Sequence, residues 1–141
     1  MQLVVLLACS PAFPAWNPLE GLQPYNVAWD SPSENSSGSM PIGNGEVGIN
    51  VWAERNGDLV LLLSRTDSWG DNGRLLKLGR IRIRFSGNPF HDANPFRQTL
   101  NLEKGEILID SGEGGNALNL RIWVDTHHPV IEIEGRCETA Q

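Results

Sequence analysis

Cysteine, long apolar runs and positive charge are all scarce in this chain of 141 residues. The two cysteines are Cys9 and Cys137, so no disulfide framework can stabilise the fold. No segment reaches the length of about 18 apolar residues that a membrane-spanning helix needs, and we expect no membrane span. The 11 lysines and arginines are outnumbered by 17 acidic residues. This balance argues against nucleic acid as a partner, because nucleic-acid binding needs a basic surface.

The first fifteen residues differ in character from the rest of the chain. An apolar run, Leu3 to Cys9, precedes prolines and small residues, as at the end of a secretory signal peptide. The tetrapeptide ending at Cys9 also resembles a bacterial lipoprotein cleavage box, which would place a lipid on Cys9. The alternative is an apolar N-terminus without any targeting role. We expect residues 1–15 to be a leader and the protein to be secreted or periplasmic.

The whole chain is 40% hydrophobic and 20% charged in composition, as in a globular protein of one domain. Residues 16–45 are rich in Pro, Ser, Asn and Gly and are predicted to be mainly loop. From residue 46 to 135, short segments with strand periodicity alternate with turn residues, and Asn56-Gly57 is a strong hairpin signal. The sequence therefore predicts an all-β, antiparallel β-sandwich over 46–135, followed by a tail at 136–141. The predicted strands of the sandwich are 46–53, 58–64, 77–85, 97–102, 106–110, 117–124 and 130–135, and Tyr25 to Trp29 is a candidate for a short strand ahead of the loop.

One turn segment is more specific than the others. It runs Pro-Ile-Gly-Asn-Gly-Glu-Val-Gly from Pro41 to Gly48, with Trp29 before it and Ser-Arg-Thr-Asp-Ser-Trp at 64–69 after it. Together these segments resemble the N-terminal part of a bacterial family catalogued as domain of unknown function 5703. More loosely, they are similar to the N-terminal β-sandwich of the α-L-fucosidases of glycoside hydrolase family 95.

This resemblance implies a role without catalysis in this part of the chain. In such glycosidases a helical (α/α)6 barrel follows the sandwich and carries the catalytic carboxylates, and nothing in this sequence resembles that barrel. The resemblance predicts part of a larger sandwich, truncated before a catalytic domain of the same protein, on which it packs. A loop of the sandwich would contribute to a sugar site. The alternatives are a stand-alone carbohydrate-binding module and a structural surface module without a ligand.

Four residues are the candidates for sugar contacts at the domain boundary: Asn44, Glu46, Asp67 and Trp69. If the strands on either side of Asn56-Gly57 form a hairpin, Glu46 and Asp67 lie at the same end of the sheet. Two carboxyl groups facing each other are the requirement for glycoside hydrolysis, but acidic residues at strand ends are common. We assign these two to binding or to turn structure, and we predict no catalytic residue.

Other patterns have both a functional and a structural interpretation. Trp52 and Trp123 lie on the face of their strands opposite the predicted core residues. Packing, a domain interface or a platform for a sugar would each explain a tryptophan at these positions. A basic stripe is formed by Arg80, Arg82 and Arg84. Ion pairs explain this stripe more simply than a binding site for an anion does. The acidic loop at 67–73 and His127-His128 lack full ligand sets, so we predict no metal and no cofactor.

Overall fold

The computed structural model describes residues 19, 21–114 and 117–137. The predicted leader with Cys9, and the end of the predicted tail at 138–141, lie outside this range. Over these residues the elements with described bounds are nine strands and two short 3-10 helices, Gln23–Tyr25 and Ser36–Gly38. Within the described residues, no helix is long and apolar enough to cross a membrane. The strands are β1 (Val27–Trp29), β2 (Met40–Gly43), β3 (Val47–Ala53), β4 (Asp58–Arg65), β5 (Gly79–Arg84), β6 (Phe96–Asn101), β7 (Glu106–Ser111), β8 (Leu118–Val124) and β9 (Ile131–Cys137).

The strands form two antiparallel sheets that pack face to face. The larger sheet has the order β1-β6-β7-β8-β9 and the smaller one the order β2-β3-β4-β5. This arrangement confirms the predicted antiparallel β-sandwich. The first two strands come from the segment 16–45: β1 lies within the candidate short strand at Tyr25 to Trp29, β2 lies in the part predicted as loop, and at the other end β9 continues to Cys137. The two early strands enter different sheets, so the sandwich begins at Val27 rather than at residue 46.

The core lies between the inward faces of the two sheets. Alternate residues of each strand point into it, as the period of two along a pleated strand requires. One polar group crosses this apolar layer: the buried Gln98 on β6 donates from Nε2 to the Val51 carbonyl on β3, over 3.1 Å. The buried apolar cluster consists of Met40, Val47, Ile49, Val51, Ala53, Leu59, Leu61, Phe90, Phe96, Ile107, Ile109, Leu118, Leu120, Ile122 and Val124.

The outer face of the smaller sheet carries a buried carboxylate. Asp58 is 0% exposed; its oxygens lie 3.0 Å from Arg84 Nε and 2.5 Å from Arg82 Nη1. These two guanidinium groups, Arg84 first, hold the pKa of Asp58 below its usual range. Two members of the predicted arginine stripe are thus in ion pairs, whereas Arg80 makes none with any described residue.

Candidate functional site

The β2–β3 turn brings the first predicted site residue, Asn44, onto a neighbouring turn. Its Nδ2 donates to the main-chain carbonyls of Asp125 (2.8 Å) and His128 (3.0 Å). Its Oδ1 accepts from the amides of Glu46 and Val47, each at 2.9 Å. All four bonds are to main chain, so Asn44 ties the β2–β3 turn to the β8–β9 turn. The side chain of Asn44 therefore has a structural role in joining the two turns, and the sugar contact stays a prediction.

The partner turn is itself ordered by Asp125. Oδ1 of Asp125 accepts from the amides of His127 and His128, both at 2.8 Å, and lies 2.9 Å from Nδ1 of His128. The His127 amide, followed by the His128 ring, lowers the pKa of Asp125. His127-His128 is therefore part of a turn. Among the residues that the structure describes, no group of three or more His, Cys, Asp or Glu could hold a metal ion.

Glycine at position 45 is required by the shape of the β2–β3 turn. Gly45 has φ of +92°, as in hairpin turns that place glycine at the first central position. An alanine Cβ there would meet nothing within 4 Å, so only the backbone conformation opposes it. We expect Gly45→Ala to lower the free energy of unfolding by about 1–2 kcal/mol, measured by urea denaturation. Gly79→Ala, at an equally open position without positive φ, is the control and should change stability by less than about 0.5 kcal/mol.

Glu46 and Asp67 do lie together, through an arginine between them. The β3–β4 hairpin pairs Val47 with Arg65, which brings Glu46 to the same end as the loop after β4. Arg65 Nη2 donates to Glu46 Oε1 at 2.6 Å, and Arg65 Nε lies 3.1 Å from Asp67 Oδ1. We call Glu46, Arg65 and Asp67 the charged triad. The positive guanidinium between the two carboxylates offsets part of their negative charge.

Trp69 lies in the loop that leaves this triad. Its indole is 60% exposed, and Nε1 donates to the Thr66 carbonyl at 2.8 Å. The main chain of Trp69 forms a bridge with Leu75, so the loop folds back on itself. Leu75 also borders a shallow pocket of about 330 Å³ beside Glu46 and Arg65. Three of the four predicted site residues are thus assembled at one end of the β3–β4 hairpin.

Trp52 and Trp123, the two tryptophans considered above as sugar platforms, offer less surface to a ligand than Trp69. Trp52 is only 3% exposed, and its Nε1 donates to Glu54 at 3.2 Å, so packing explains it. Trp123 is half-buried on the outer face of the larger sheet. The guanidinium of Arg121 lies 4.4 Å from the centre of its ring, and Arg121 also pairs with the buried Glu106.

Sequence reasoning missed Arg65 and the exposed apolar side chains that follow it. The sequence does contain a signal for Arg65, because the register of the hairpin at Asn56-Gly57 places this residue at the end of β4, opposite the start of β3. The second feature, which we call the apolar strip, is a set of large side chains on the loop and on β5 that are exposed to solvent. Its members are Trp69, Leu75, Leu76, Leu78 and Ile81.

Comparison with known proteins identifies a family. The model of a domain of unknown function (DUF5703), N-terminal part, matches residues 28–141. No curated protein matches the chain. The matched range contains all nine strands except the first residue of β1, and with it the charged triad and the apolar strip. Since the match covers well over half of the sequence, the chain belongs to the DUF5703 family, as its N-terminal domain.

Proposed function

We propose that this chain is a non-catalytic N-terminal β-sandwich domain of an exported protein that resembles a glycoside hydrolase. In this proposal it packs on a helical catalytic domain of the same protein, and the loop at 66–78 lies at the boundary between the two domains. The similarity to the sandwich of glycoside hydrolase family 95, noted on Trp29 and the segments at 41–48 and 64–69, supports this role.

The observation that carries the proposal is the apolar strip. Every residue from 71 to 82 is exposed. Four members of the apolar strip lie in this range, and the fifth is Trp69, just before it. Clusters of exposed apolar side chains with a polar border are typical of interaction surfaces. The charged triad provides such a border, since Glu46 and Arg65 line the pocket that Leu75 adjoins. Free carboxylate oxygens at this border are suited to accept hydrogen bonds from sugar hydroxyls.

Hydrogen exchange tests the domain contact. Amides in 66–81 of the 141-residue chain are compared with the same amides in the protein encoded by the complete genomic reading frame. We expect slower exchange of these amides in the complete protein, because the catalytic domain covers them. Equal exchange rates in the two samples, or a reading frame without a helical domain, would contradict the proposal.

A second candidate, a stand-alone carbohydrate-binding module, is favoured by the state of Trp69. Its hydrogen bond to Thr66 fixes the indole, and a fixed, exposed ring two residues from Asp67 suits stacking with a sugar ring. Such a module would bind glycans without any other domain.

Tryptophan fluorescence of the chain, titrated with fucosylated and plant-type glycans, tests this second function. We expect Trp69→Ala to weaken binding at least about tenfold and to change the free energy of unfolding by less than about 0.5 kcal/mol, because the ring is exposed. Trp29→Ala, which removes an exposed tryptophan from the other sheet, is the control and should leave binding unchanged. No response across the glycan panel would exclude the second candidate.

A further inference from the structure

Two edge strands, β5 of the smaller sheet and β9 of the larger sheet, have complementary sequences. At one edge of the smaller sheet, β5 reads Arg-Ile-Arg-Ile-Arg from Arg80 to Arg84. At one edge of the larger sheet, β9 begins Ile-Glu-Ile-Glu from Ile131 to Glu134. Each strand alternates isoleucine with a charged residue, and the charges have opposite sign.

In both strands the isoleucines face the core side and the charges face outward. Ile81 pairs with Leu61 across the smaller sheet, and Ile133 pairs with Ile122 across the larger one. Leu61 and Ile122 are core residues, and paired residues share a face. A sheet formed by joining β5 to β9 would therefore keep isoleucine on one side and charge on the other.

Both strands are accessible. Ile81 is 43% exposed and Ile133 is 38% exposed, which is high for side chains on the core face of a sandwich. Arg80 and Glu132 make no ion pair with any residue in the described part of the chain. As edge strands, β5 and β9 each have one side on which main-chain groups are not used within the sheet.

We propose that β5 of one molecule pairs in antiparallel register with β9 of a second molecule of the same chain. In this register Ile81 lies opposite Ile133 and Ile83 opposite Ile131. The same register sets Arg80 opposite Glu134 and Arg82 opposite Glu132. The joined edges would share main-chain hydrogen bonds, two apolar pairs and two pairs of opposite charge. This inference does not rest on the proposed function: its partner is a second copy of the chain, and Ile81 is the one member of the apolar strip that takes part in it.

The same charges disfavour pairing between identical edges. Joining β5 to β5 with isoleucines opposite each other sets arginine against arginine. Joining β9 to β9 in a register that keeps isoleucine pairs sets Glu132 against Glu132 or Glu134. Like charges directly opposite are destabilising, so the charges select the β5–β9 contact. Such a contact is head-to-tail: each molecule keeps one β5 and one β9 edge, and assembly proceeds to a ring or a chain.

Sedimentation velocity of the full chain in reducing buffer tests the proposal, the reducing agent preventing disulfides through the exposed Cys137. We expect mass to increase with protein concentration, and less so at high salt, which screens the charge pairs. Arg80→Glu and Glu134→Lys should each weaken association about tenfold, since each sets like charges opposite each other. Lys104→Glu, which makes the same change of charge as Arg80→Glu at another exposed position, should not alter association.

Restoration by charge exchange distinguishes this contact from non-specific aggregation. The double variant Arg80→Glu/Glu134→Lys, and an equimolar mixture of the two single variants, should associate as the unmodified chain does. Circular dichroism confirms that each variant is folded. A chain that stays monomeric at all concentrations, association unchanged in both single variants, or no restoration in the double variant would overturn the proposal.

Discussion

Replacing Arg82 and Arg84 together by methionine is expected to lower the free energy of unfolding by about 3–5 kcal/mol. Both guanidinium groups contact the carboxylate of Asp58, which is fully buried on the outer face of the smaller sheet. Methionine keeps most of the apolar stem of arginine, so the main loss is the charge that compensates the carboxylate. The variant would retain a buried negative charge without its two partners.

The pH dependence of this effect identifies its cause. In the native protein the pKa of Asp58 is lowered from an ordinary value of 3.8. Its contribution to stability is therefore complete above that value and is lost as the pH falls through the lower, folded-state pKa. Without the two arginines, burial alone acts on Asp58 and raises its pKa. Protonation then relieves the penalty, so the destabilisation of the variant should shrink as the pH is lowered from 7 to 5.

Urea denaturation of both proteins at pH 7 and pH 5 measures this difference. Arg80→Met is the matched control, because Arg80 lies on the same strand, points to the same face and makes no ion pair with a described residue. It should change the free energy of unfolding by less than about 0.5 kcal/mol at either pH. A double variant whose destabilisation is equal at the two pH values would show that the buried charge is not the cause.

Asn44→Ala is expected to lower the free energy of unfolding by about 2–4 kcal/mol. The amide side chain makes four hydrogen bonds to main-chain groups, each worth about 0.5–1.5 kcal/mol in net stability. Two of these bonds hold the β2–β3 turn, and the other two hold that turn against the β8–β9 turn. The variant should therefore loosen both turns, although Asp125 and His128 are 81 and 84 residues from Asn44 in the sequence.

Hydrogen exchange separates this docking effect from general destabilisation. In Asn44→Ala we expect faster exchange of the amides at 125–130, beyond the increase seen in other loops. Asn50→Ala, at an exposed position on β3, is the control and should leave both stability and these amides nearly unchanged. If the 125–130 amides are equally protected in both variants, Asn44 does not hold the second turn.

Most of the strands followed from the sequence because their side chains report directly on burial. The clear alternation in β3 and β8, and the turn residues Asn56-Gly57, placed these elements to within one or two residues. The five consecutive apolar residues at 59–63 in β4 are typical of a strand that is buried on both faces, and Leu59, Val60 and Leu61 are buried. Alternation and turn chemistry are local properties, so a single sequence carries them.

The second strand was not recognised from the sequence for a physical reason. Met40–Gly43 contains a proline and a glycine, which disfavour strands in general. Proline is tolerated here because β2 is an edge strand. Proline has no amide N–H to donate, and on the outer side of an edge strand no neighbouring strand needs that donor. Edge position is a property of the assembled sheet and cannot be obtained from local sequence.

For the candidate site, the sequence placed residues but not partners. The hairpin register correctly brought Glu46 and Asp67 to one end, whereas Arg65 between them was overlooked. The burial of Trp52 is a property of the assembled fold. Its strand, β3, has the 3-10 helix at Ser36–Gly38 against it, and the amide of Ser33 bonds to the Ala53 carbonyl at 2.8 Å. Strand parity gave the direction of that side chain but not what covers it.

The hydrogen bond from Gln98 to the Val51 carbonyl determines how the two layers are aligned. Contacts between apolar side chains are non-directional and would tolerate a shift of one sheet over the other by a pleat. A buried amide that lost its acceptor in such a shift would cost about 1–3 kcal/mol. Gln98 therefore selects one alignment of the two sheets among several alignments that would bury similar apolar surface.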